Sequence, residues 1–352
     1  MKKTLIALAA LAATGAFAQS SVSLYGRMDA GYASGKTTTE TNGVSADTKN
    51  DGVMSHNSVS SYWGLMGTED LGGGLKANFK LEQDLFPATG NLGVTGSGGG
   101  ESSLAQFNRR SYLGLSGAFG TLNIGRDYNP MFNVAAASDV FGLSRLSTVG
   151  LAGNVGSTVA RQVMYSTPSI SGFSADFSLG NNDISTQTSV QTRNAHVAAK
   201  YVNGPLYVGV ATGNMETTNA ANATKTEGSA FTATYDFGVA KVYAGYLTQK
   251  VTTLNVAGSA EQNETNLGVN VPFGKFAFQA AWGRNSKTNN TAGGNAEDRS
   301  GTDWAVGVTY DLSKRTTAFA KTGVINKLDG NLTAATVNSK YTETNVGIRH
   351  TF

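Results

Sequence analysis

Arginine is the residue type whose placement could do chemistry in this chain. Arg27 shares a polar face with Ser23, Tyr25 and Asp29, and the opposite side of the same stretch carries Val22, Leu24, Met28, Ala30 and Tyr32. Arg109 and Arg110 are adjacent, and Arg126 ends a short alternating segment. Arg145 lies with Asp127 and Asp139 in a long insertion, and Arg161 follows it. Fixed charges of this kind, facing water, act on ions by field rather than by bond making. One guanidinium about 5 Å from an anion in a water-like dielectric contributes roughly 0.8 kcal/mol. Three contribute about 2.5 kcal/mol, reduced further by salt over a Debye length of about 8 Å. That biases an ion without trapping it.

Other chemistry has no constellation to carry it. His56, His196 and His350 fall in a loop, on a polar strand face and in the last strand, with no spacing for a metal site or a triad. There is no Cys, which removes thiolate catalysis and thiolate metal ligation. Gly72–Gly74 and Gly98–Gly100 are not followed by helical patterns, so they read as a turn and a loop rather than phosphate cradles. No catalytic residue, metal or cofactor is expected. Of 27 basic residues two are Lys2 and Lys3, and without them 25 stand against 24 acidic ones. That balance excludes the dense basic face that nucleic acids require.

The elements that must position the arginines are strands. Met1 to Ala18 (MKKTLIALAALAATGAFA) has a basic start, an apolar run over Leu5–Ala13 and a small-x-small end at Ala16-Phe17-Ala18. These are the parts of a cleaved export signal, and about nine apolar residues are too few to span a membrane core that needs roughly twenty. The mature chain is expected to begin at Gln19. No later segment approaches eighteen apolar residues, so a helical membrane protein is excluded.

From Ser21 onward, segments of roughly ten residues alternate apolar and polar, the period of a strand. Leu75/Ala77/Phe79/Leu81 oppose Lys76/Asn78/Lys80/Glu82. Phe276/Phe278/Ala280/Trp282 and Trp304/Val306/Val308/Tyr310 repeat the pattern late in the chain. Short turns such as Asn203-Gly204-Pro205 and Asp236-Phe237-Gly238 alternate with longer polar stretches, among them Lys36–Asn57, Pro87–Ser103 and Asn285–Gly301. Short connections on one side and long ones on the other are the pattern of transmembrane barrels. A soluble sandwich would need a second sheet over its apolar face, and no composition shift divides this chain in two. The 334 residues after Ala18, at roughly 21 per strand and connection, correspond to about 16 strands.

The last twelve residues fit the same scheme. Thr344, Val346, Ile348, His350 and Phe352 share one face, and the chain stops on the aromatic ring. In a closed barrel this strand pairs with the first, and Phe352 sits in an interfacial aromatic girdle. The third long connection, Asp127–Thr158, differs from the others. Met131, Phe132, Val134, Val140, Phe141, Leu143 and Leu146 give it enough apolar surface to pack against a wall, so it is expected to fold into the lumen. Asp139 is then the acidic group expected to face the arginines. Simple alternation sends Arg110 outward unless a bulge intervenes, and Arg126 shares the parity of Leu122 and Ile124. A charge on the lipid face near mid-membrane costs about 2–4 kcal/mol.

The chain resembles the general-diffusion porins of beta-proteobacteria from end to end. The resemblance rests on Ser21-Val22-Ser23-Leu24-Tyr25-Gly26, Trp63-Gly64-Leu65, Gly67-Thr68-Glu69-Asp70-Leu71-Gly72-Gly73-Gly74-Leu75-Lys76-Ala77 and Phe107-Asn108-Arg109. It continues with Gly114-Leu115-Ser116-Gly117-Ala118-Phe119-Gly120-Thr121, Gly125-Arg126, Ser171-Gly172-Phe173, Tyr235-Asp236-Phe237-Gly238, Leu312-Ser313-Lys314-Arg315 and Gly347-Ile348-Arg349-His350-Thr351-Phe352. It implies an all-β, 16-stranded antiparallel transmembrane barrel over 19–352, narrowed by a third loop at about 127–158. It also implies a homotrimer in outer-membrane lipid, whose C-terminal strand (Val346, Ile348, His350, Phe352) is read by the barrel-assembly machinery.

The function implied is passive diffusion of ions and small hydrophilic solutes, with mild anion preference. A substrate-selective channel and an adhesin or receptor remain as alternatives. The candidate constriction residues are Arg27, Tyr62, Arg109, Arg110, Arg126, Asp139, Arg145 and Arg161, of which Arg109 and Arg126 match the family pattern. Two positions depart from the pattern: Tyr62 stands where the family often has Arg, and Thr158 stands at another such place, with Arg161 three residues on.

Overall fold

Alternating sequence commits the backbone to strands, and strand register then decides which alternating face meets water. The computed structural model describes residues 21–41, 44–92, 106–150, 156–181, 191–218, 223–253, 258–291, 297–328 and 337–352. The leader expected at 1–18 lies outside them.

The strands are β1 (Ser21–Thr41), β2 in two lengths (Val44–Ser55 and Tyr62–Gly72), β3 (Leu75–Phe86), β4 (Arg110–Gly117), β5 (Gly120–Tyr128), β6 (Thr158–Ser166), β7 (Phe173–Asn181) and β8 (Gln191–Asn203). They continue as β9 (Leu206–Thr218), β10 (Ala223–Asp236), β11 (Lys241–Thr253), β12 (Gly258–Phe273), β13 (Phe276–Thr291), β14 (Glu297–Asp311), β15 (Thr316–Leu328) and β16 (Val337–Thr351). A two-residue bridge, Asn91–Leu92, decorates the end of β3. The two lengths of β2 pair in turn with the same edge of β1, so they count as one strand.

Each strand pairs antiparallel with its neighbours, and β16 closes on β1 from Thr351 opposite Arg27 to Val337 opposite Thr41. The result is a closed 16-stranded barrel. Closure reaches the last residue, because Phe352 and Gly26 exchange backbone hydrogen bonds, both 3.0 Å long. A Cβ at Gly26 would stand 2.7 Å from the Phe352 ring, so only glycine leaves room for that ring.

The two faces separate sharply. On β7, Leu179 is 68% exposed while its neighbour Ser178 is 3% exposed. Val22, Leu24, Phe177, Phe231, Leu267, Trp282, Trp304 and Ile348 are all exposed on the outside, as a lipid-facing band requires. No helix among the described residues is long and apolar enough to cross a membrane; the strands do so.

The polar stretch Lys36–Asn57, expected as a loop, is mostly strand. β1 runs to Thr41 and pairs with Val44–Ser55. Beyond the membrane both faces of a ribbon are wet, so the apolar period disappears while the backbone ladder continues. The same reason extends β12 and β13 through Gly258–Thr291 into sequence expected as loop.

The third loop folds inward over its described residues Asn129–Gly150. Pro130–Ala136 forms a short helix, α1, with proline at its start and the Asn129 carboxamide oxygen accepting the Phe132 N–H at 2.7 Å. Met131, Val134, Ala135 and Val149 pack on Ala198, Ala211, Ala230 and Leu247 of β8–β11. Val140, Phe141 and Leu146 pack on Ala281, Ala305 and Ile325 of β13–β15. The wall beneath is built from small residues. A Cβ at Gly245 would lie 2.6 Å from the Ser138 hydroxyl, and one at Gly307 3.2 Å from the Phe141 ring. Polar pins hold the seat: Thr232 donates to Val134 O (2.7 Å), Asn266 to Ser138 O (3.0 Å) and Gln279 to Val140 O (3.2 Å).

Candidate functional site

The third loop lines the wall from β8 to β15, and the inner face of β1–β5 stands opposite it. The polar side chains gather there. Arg27 on β1 donates to Ser60 O at 2.6 Å, and its guanidinium lies 4.9 Å from the Tyr62 ring. Arg109 lies 4.7 Å from the same ring on its other contact and 5.5 Å from Tyr128. Arg110 lies 5.0 Å from Tyr128. The order Arg27, Tyr62, Arg109, Tyr128, Arg110 is a ladder of cations and aromatic faces, each contact worth about 0.5–2 kcal/mol.

Carboxylates from β3 and β5 hold the ladder. Glu82 accepts from Arg109 Nε at 2.7 Å and from the Tyr25 hydroxyl at 2.9 Å, and Lys80 stands 3.9 Å away. Asp84 accepts from Arg109 Nη1 at 2.7 Å, and Asp127 faces Arg110 Nε at 3.2 Å. Arg349 of β16 stands opposite Asp29 in register and within electrostatic range of Arg27. Arg27, Lys80, Arg109, Arg110 and Arg349 therefore outnumber Asp29, Glu82, Asp84 and Asp127 by one. A water column bounded by such a wall can discriminate ions by sign without binding them tightly.

The tip of the third loop reaches the same wall. Lys321 of β15 donates to Ser58 O at 3.3 Å and lies 4.9 Å from the Phe141 ring. Asp29 accepts the N–H groups of Asn57 (2.8 Å), Ser58 (3.1 Å) and Val59 (3.2 Å), which shapes the break in β2. A Cβ at Gly142 would lie 3.0 Å from Val59.

Residues 4–330 match the family model described as Gram-negative porin. The chain belongs to this family. It is 30% identical to outer membrane porin protein 32 of Delftia acidovorans and 29% identical to an outer membrane porin protein of Bordetella pertussis, each covered in full along with this chain. Among solved structures, the anion-selective porin from Comamonas acidovorans superposes with a TM-score of 0.76 at 27% identity, covering 95% of this chain and all of that one. The porin thus forms a water-filled diffusion channel for ions and small hydrophilic solutes in the outer membrane of a Gram-negative bacterium. Its relatives are channels rather than enzymes.

The structure brings Arg27, Tyr62, Arg109 and Arg110 of this porin together and separates the other sequence-derived candidates from them. Arg110 points inward rather than outward: Leu113 and Leu115 are the exposed residues of its strand, so Arg110 keeps the inward parity of Tyr112 and Arg109 is the residue that breaks alternation. Glu82 stands opposite Arg110, and its carbonyl also accepts the Arg109 N–H at 3.1 Å, so two consecutive residues face one. Phe107, just before them, has φ 55°. That irregularity re-aims the chain, as bulges near functional sites do.

Arg126 lies outside the ladder. It keeps the outward parity of Ile124, and its Nε donates to Asn108 O at 2.6 Å and its Nη2 to the Thr158 hydroxyl at 2.9 Å. It braces two strand ends. Arg161 is also outward, exposed on the side of Val163, where Asp127 opposite Val159 and Gly125 opposite Gln162 leave an extra residue on β6. Its φ is 51°. The inward residue there is Gln162, so Arg161 is removed from the constriction.

Asp139 does not face the arginines. It is buried under the third loop, and its carboxylate accepts the N–H groups of Phe141 (3.0 Å) and Leu143 (2.5 Å). Burial pushes its carboxyl above the ordinary carboxylate range. The opposing charges come instead from Glu82, Asp84 and Asp127. Arg145 reaches Glu343 of β16 at 2.8 Å and lies 5.4 Å from the Tyr341 ring, so its charge is matched by a carboxylate beside β1. Asp127 and Tyr128 prove to be the end of β5 rather than loop.

Glu82 and Lys80 were visible in sequence only as members of a polar strand face. The partner of Glu82 27 residues away, Arg109, is set by the register of β3 on β4. Val346, Ile348 and His350 lie outward, opposite Tyr32, Ala30 and Met28.

Proposed function

We propose that the narrowest passage of this porin is the gap between the third loop and the β1–β5 wall, and that it mildly favours anions. The carrying observation is the Arg27–Tyr62–Arg109–Tyr128–Arg110 ladder, with cations in excess on the wall that the loop leaves uncovered. The similarity to an anion-selective porin supports the sign. The bound carboxylates keep the preference small, because Arg109 is paired to two of them. Reversal potential across a planar bilayer in a KCl gradient is the test: chloride is expected to be the more permeant ion, and a potassium preference would overturn the proposal.

The porin associates as a trimer in this reading, through the outward side of β2–β5. β4 and β5 have only 8 and 9 residues, at or below the roughly 9–11 that a tilted strand needs to span the core. Leu65, Phe79, Leu81, Leu113 and Leu122 make that side continuously apolar. A second copy shields it better than lipid. Leu113→Lys is expected to convert trimers to monomers in native mass spectrometry. The export signal and the reading of the Phe352 strand by the assembly machinery complete the proposal. N-terminal sequencing of the outer-membrane protein should start at Gln19, and deletion of Phe352 should lower assembly in cells while leaving refolding in detergent intact.

A further inference from the structure

Between the second half of the third loop and the inner face of β12–β15 lies a cavity of about 410 Å³, apart from the arginine ladder. Cavities of this size hold small ligands. Asp303 of β14 and Glu264 of β12, both 3% exposed, bring carboxylates to it, and Arg145 of the third loop brings a guanidinium. Leu143, Val149 and Ile325 supply its apolar surface. Both oxygens of Glu264 accept the Gly150 N–H at 3.0 Å, which fixes the loop at the cavity's edge.

The polar groups of the lining are not spent on one another. Asp303 accepts three N–H groups, all from neutral amides: the Asn326 backbone (2.6 Å), the Asn326 carboxamide (3.3 Å) and the Asn285 carboxamide (3.0 Å). Arg145 gives Nε to Glu343 and Nη2 to the Tyr341 hydroxyl, which leaves Nη1 for the cavity. Two further atoms of lining residues, Ser144 Oγ and Asn285 Oδ1, are buried and have no hydrogen-bond partner. Buried polar atoms are almost always partnered, so each asks for a complement. Asn285 Oδ1 can only accept, beside Asp303, and Ser144 Oγ can donate, beside Arg145.

Strand spacing sets how far apart these two ends stand. Trp304 faces Val324 and Ile325 faces Tyr341, so Asp303 and Tyr341 flank Ile325 and lie about 10 Å apart at the backbone. Arg145 lies over Tyr341, at 5.4 Å from its ring. The acceptor end and the donor end are therefore separated by the apolar side chain of Ile325.

We propose that this cavity binds a small zwitterion, an amino acid whose ammonium and carboxylate are held apart by a short apolar chain. The ammonium meets Asp303 and Asn285 Oδ1, the carboxylate meets Arg145 and Ser144 Oγ, and the chain between them lies on Ile325. Charge-assisted hydrogen bonds at both ends give the selectivity. A singly charged ion satisfies one end, and an α-amino acid with adjacent charges does not reach both. The occupant carries no net charge, so the site stands whatever the ion selectivity of the pore.

The test is single-channel recording from the refolded mature porin in a planar bilayer with 5-aminopentanoate added, paired with titration calorimetry in detergent. Saturable current block and a saturable heat are expected. Glycine, pentanoate and pentylamine should each need at least tenfold more for equal block. Asp303→Asn and Arg145→Gln should each raise the half-blocking concentration at least tenfold, and Ser147→Trp, which fills the cavity from the loop, should abolish block. Arg110→Ala should leave the half-blocking concentration where it was. Heat-modified gel mobility verifies that each variant is a folded barrel; if Arg145→Gln is not, Ser147→Trp carries the test. Absence of both block and heat, equal block by pentanoate or pentylamine, unchanged block in the cavity variants, or a tenfold loss in Arg110→Ala would overturn the proposal.

Discussion

The wall from β8 to β15 and the wall from β1 to β5 enclose the same water and are built on opposite principles. The first has strands of 13–16 residues in unbroken register, and its inner face is worn down to glycine, alanine and threonine where the third loop lies on it. The second is broken at 56–61, irregular around Arg109 and Arg110, and short at β4 and β5. It carries the ions and aromatic rings. A regular ladder makes a smooth bed; the cluster of alternating guanidinium groups and aromatic rings stands on the interrupted one. The comparison teaches that the loop and the charges are separate devices, one proposed to set the width of the channel and the other its sign.

Breaking the charged wall should have the largest effect. Glu82→Ala leaves Arg109 with one carboxylate fewer in a site where both side chains are mostly buried. Loss of about 3–5 kcal/mol is expected, read as a lower unfolding midpoint in detergent. In the channels that fold, anion preference should rise. Breaking the smooth wall should come next. Gly245→Leu collides with Ser138 and Asn266 and should cost about 1–3 kcal/mol by overpacking. Its distinguishing signature is a larger or noisier single-channel conductance with unchanged reversal potential.

Smaller changes sharpen the contrast. Arg110→Ala removes one charge from the ladder, about 0.8 kcal/mol before screening, so the anion-to-cation permeability ratio should fall roughly two- to fourfold. Arg126→Ala, outside the ladder, should leave that ratio where it was. Equal effects of the two would mean that parity does not separate them. The smallest effect belongs to Tyr62. Tyr62→Phe keeps the aromatic face between Arg27 and Arg109 and should be silent in selectivity, whereas Tyr62→Ala should cost about 0.5–2 kcal/mol in thermal unfolding.

Much of the fold was legible because membrane strands advertise themselves by period. The segments around Leu75–Leu81, Phe276–Trp282 and Trp304–Tyr310 became β3, β13 and β14 with the expected faces outward. Strand ends were not legible where both faces are wet, as in Lys36–Asn57. Of the site, Arg27 could be oriented from its own strand alone, since Ser23, Tyr25 and Asp29 share its side. Arg109 and Arg161 could not, because one extra residue in a strand reverses the direction of everything beside it. Asp139 misled for a different reason: its acidity was plain, but the two backbone N–H groups it satisfies are created by the loop's own turn.

By itself the sequence determined that the chain forms strands, that one stripe of each is oily and the other wet, and that the third connection is apolar enough to dock. Those properties are local, carried by residues two positions apart. Only the tertiary structure decided which charges meet. Glu82 finds Arg109, Lys321 finds Ser58 and Arg145 finds Glu343 across separations in sequence that no short-range period encodes. Register and bulges set those pairings, and a shift of a single residue would have assembled a different channel from the same side chains.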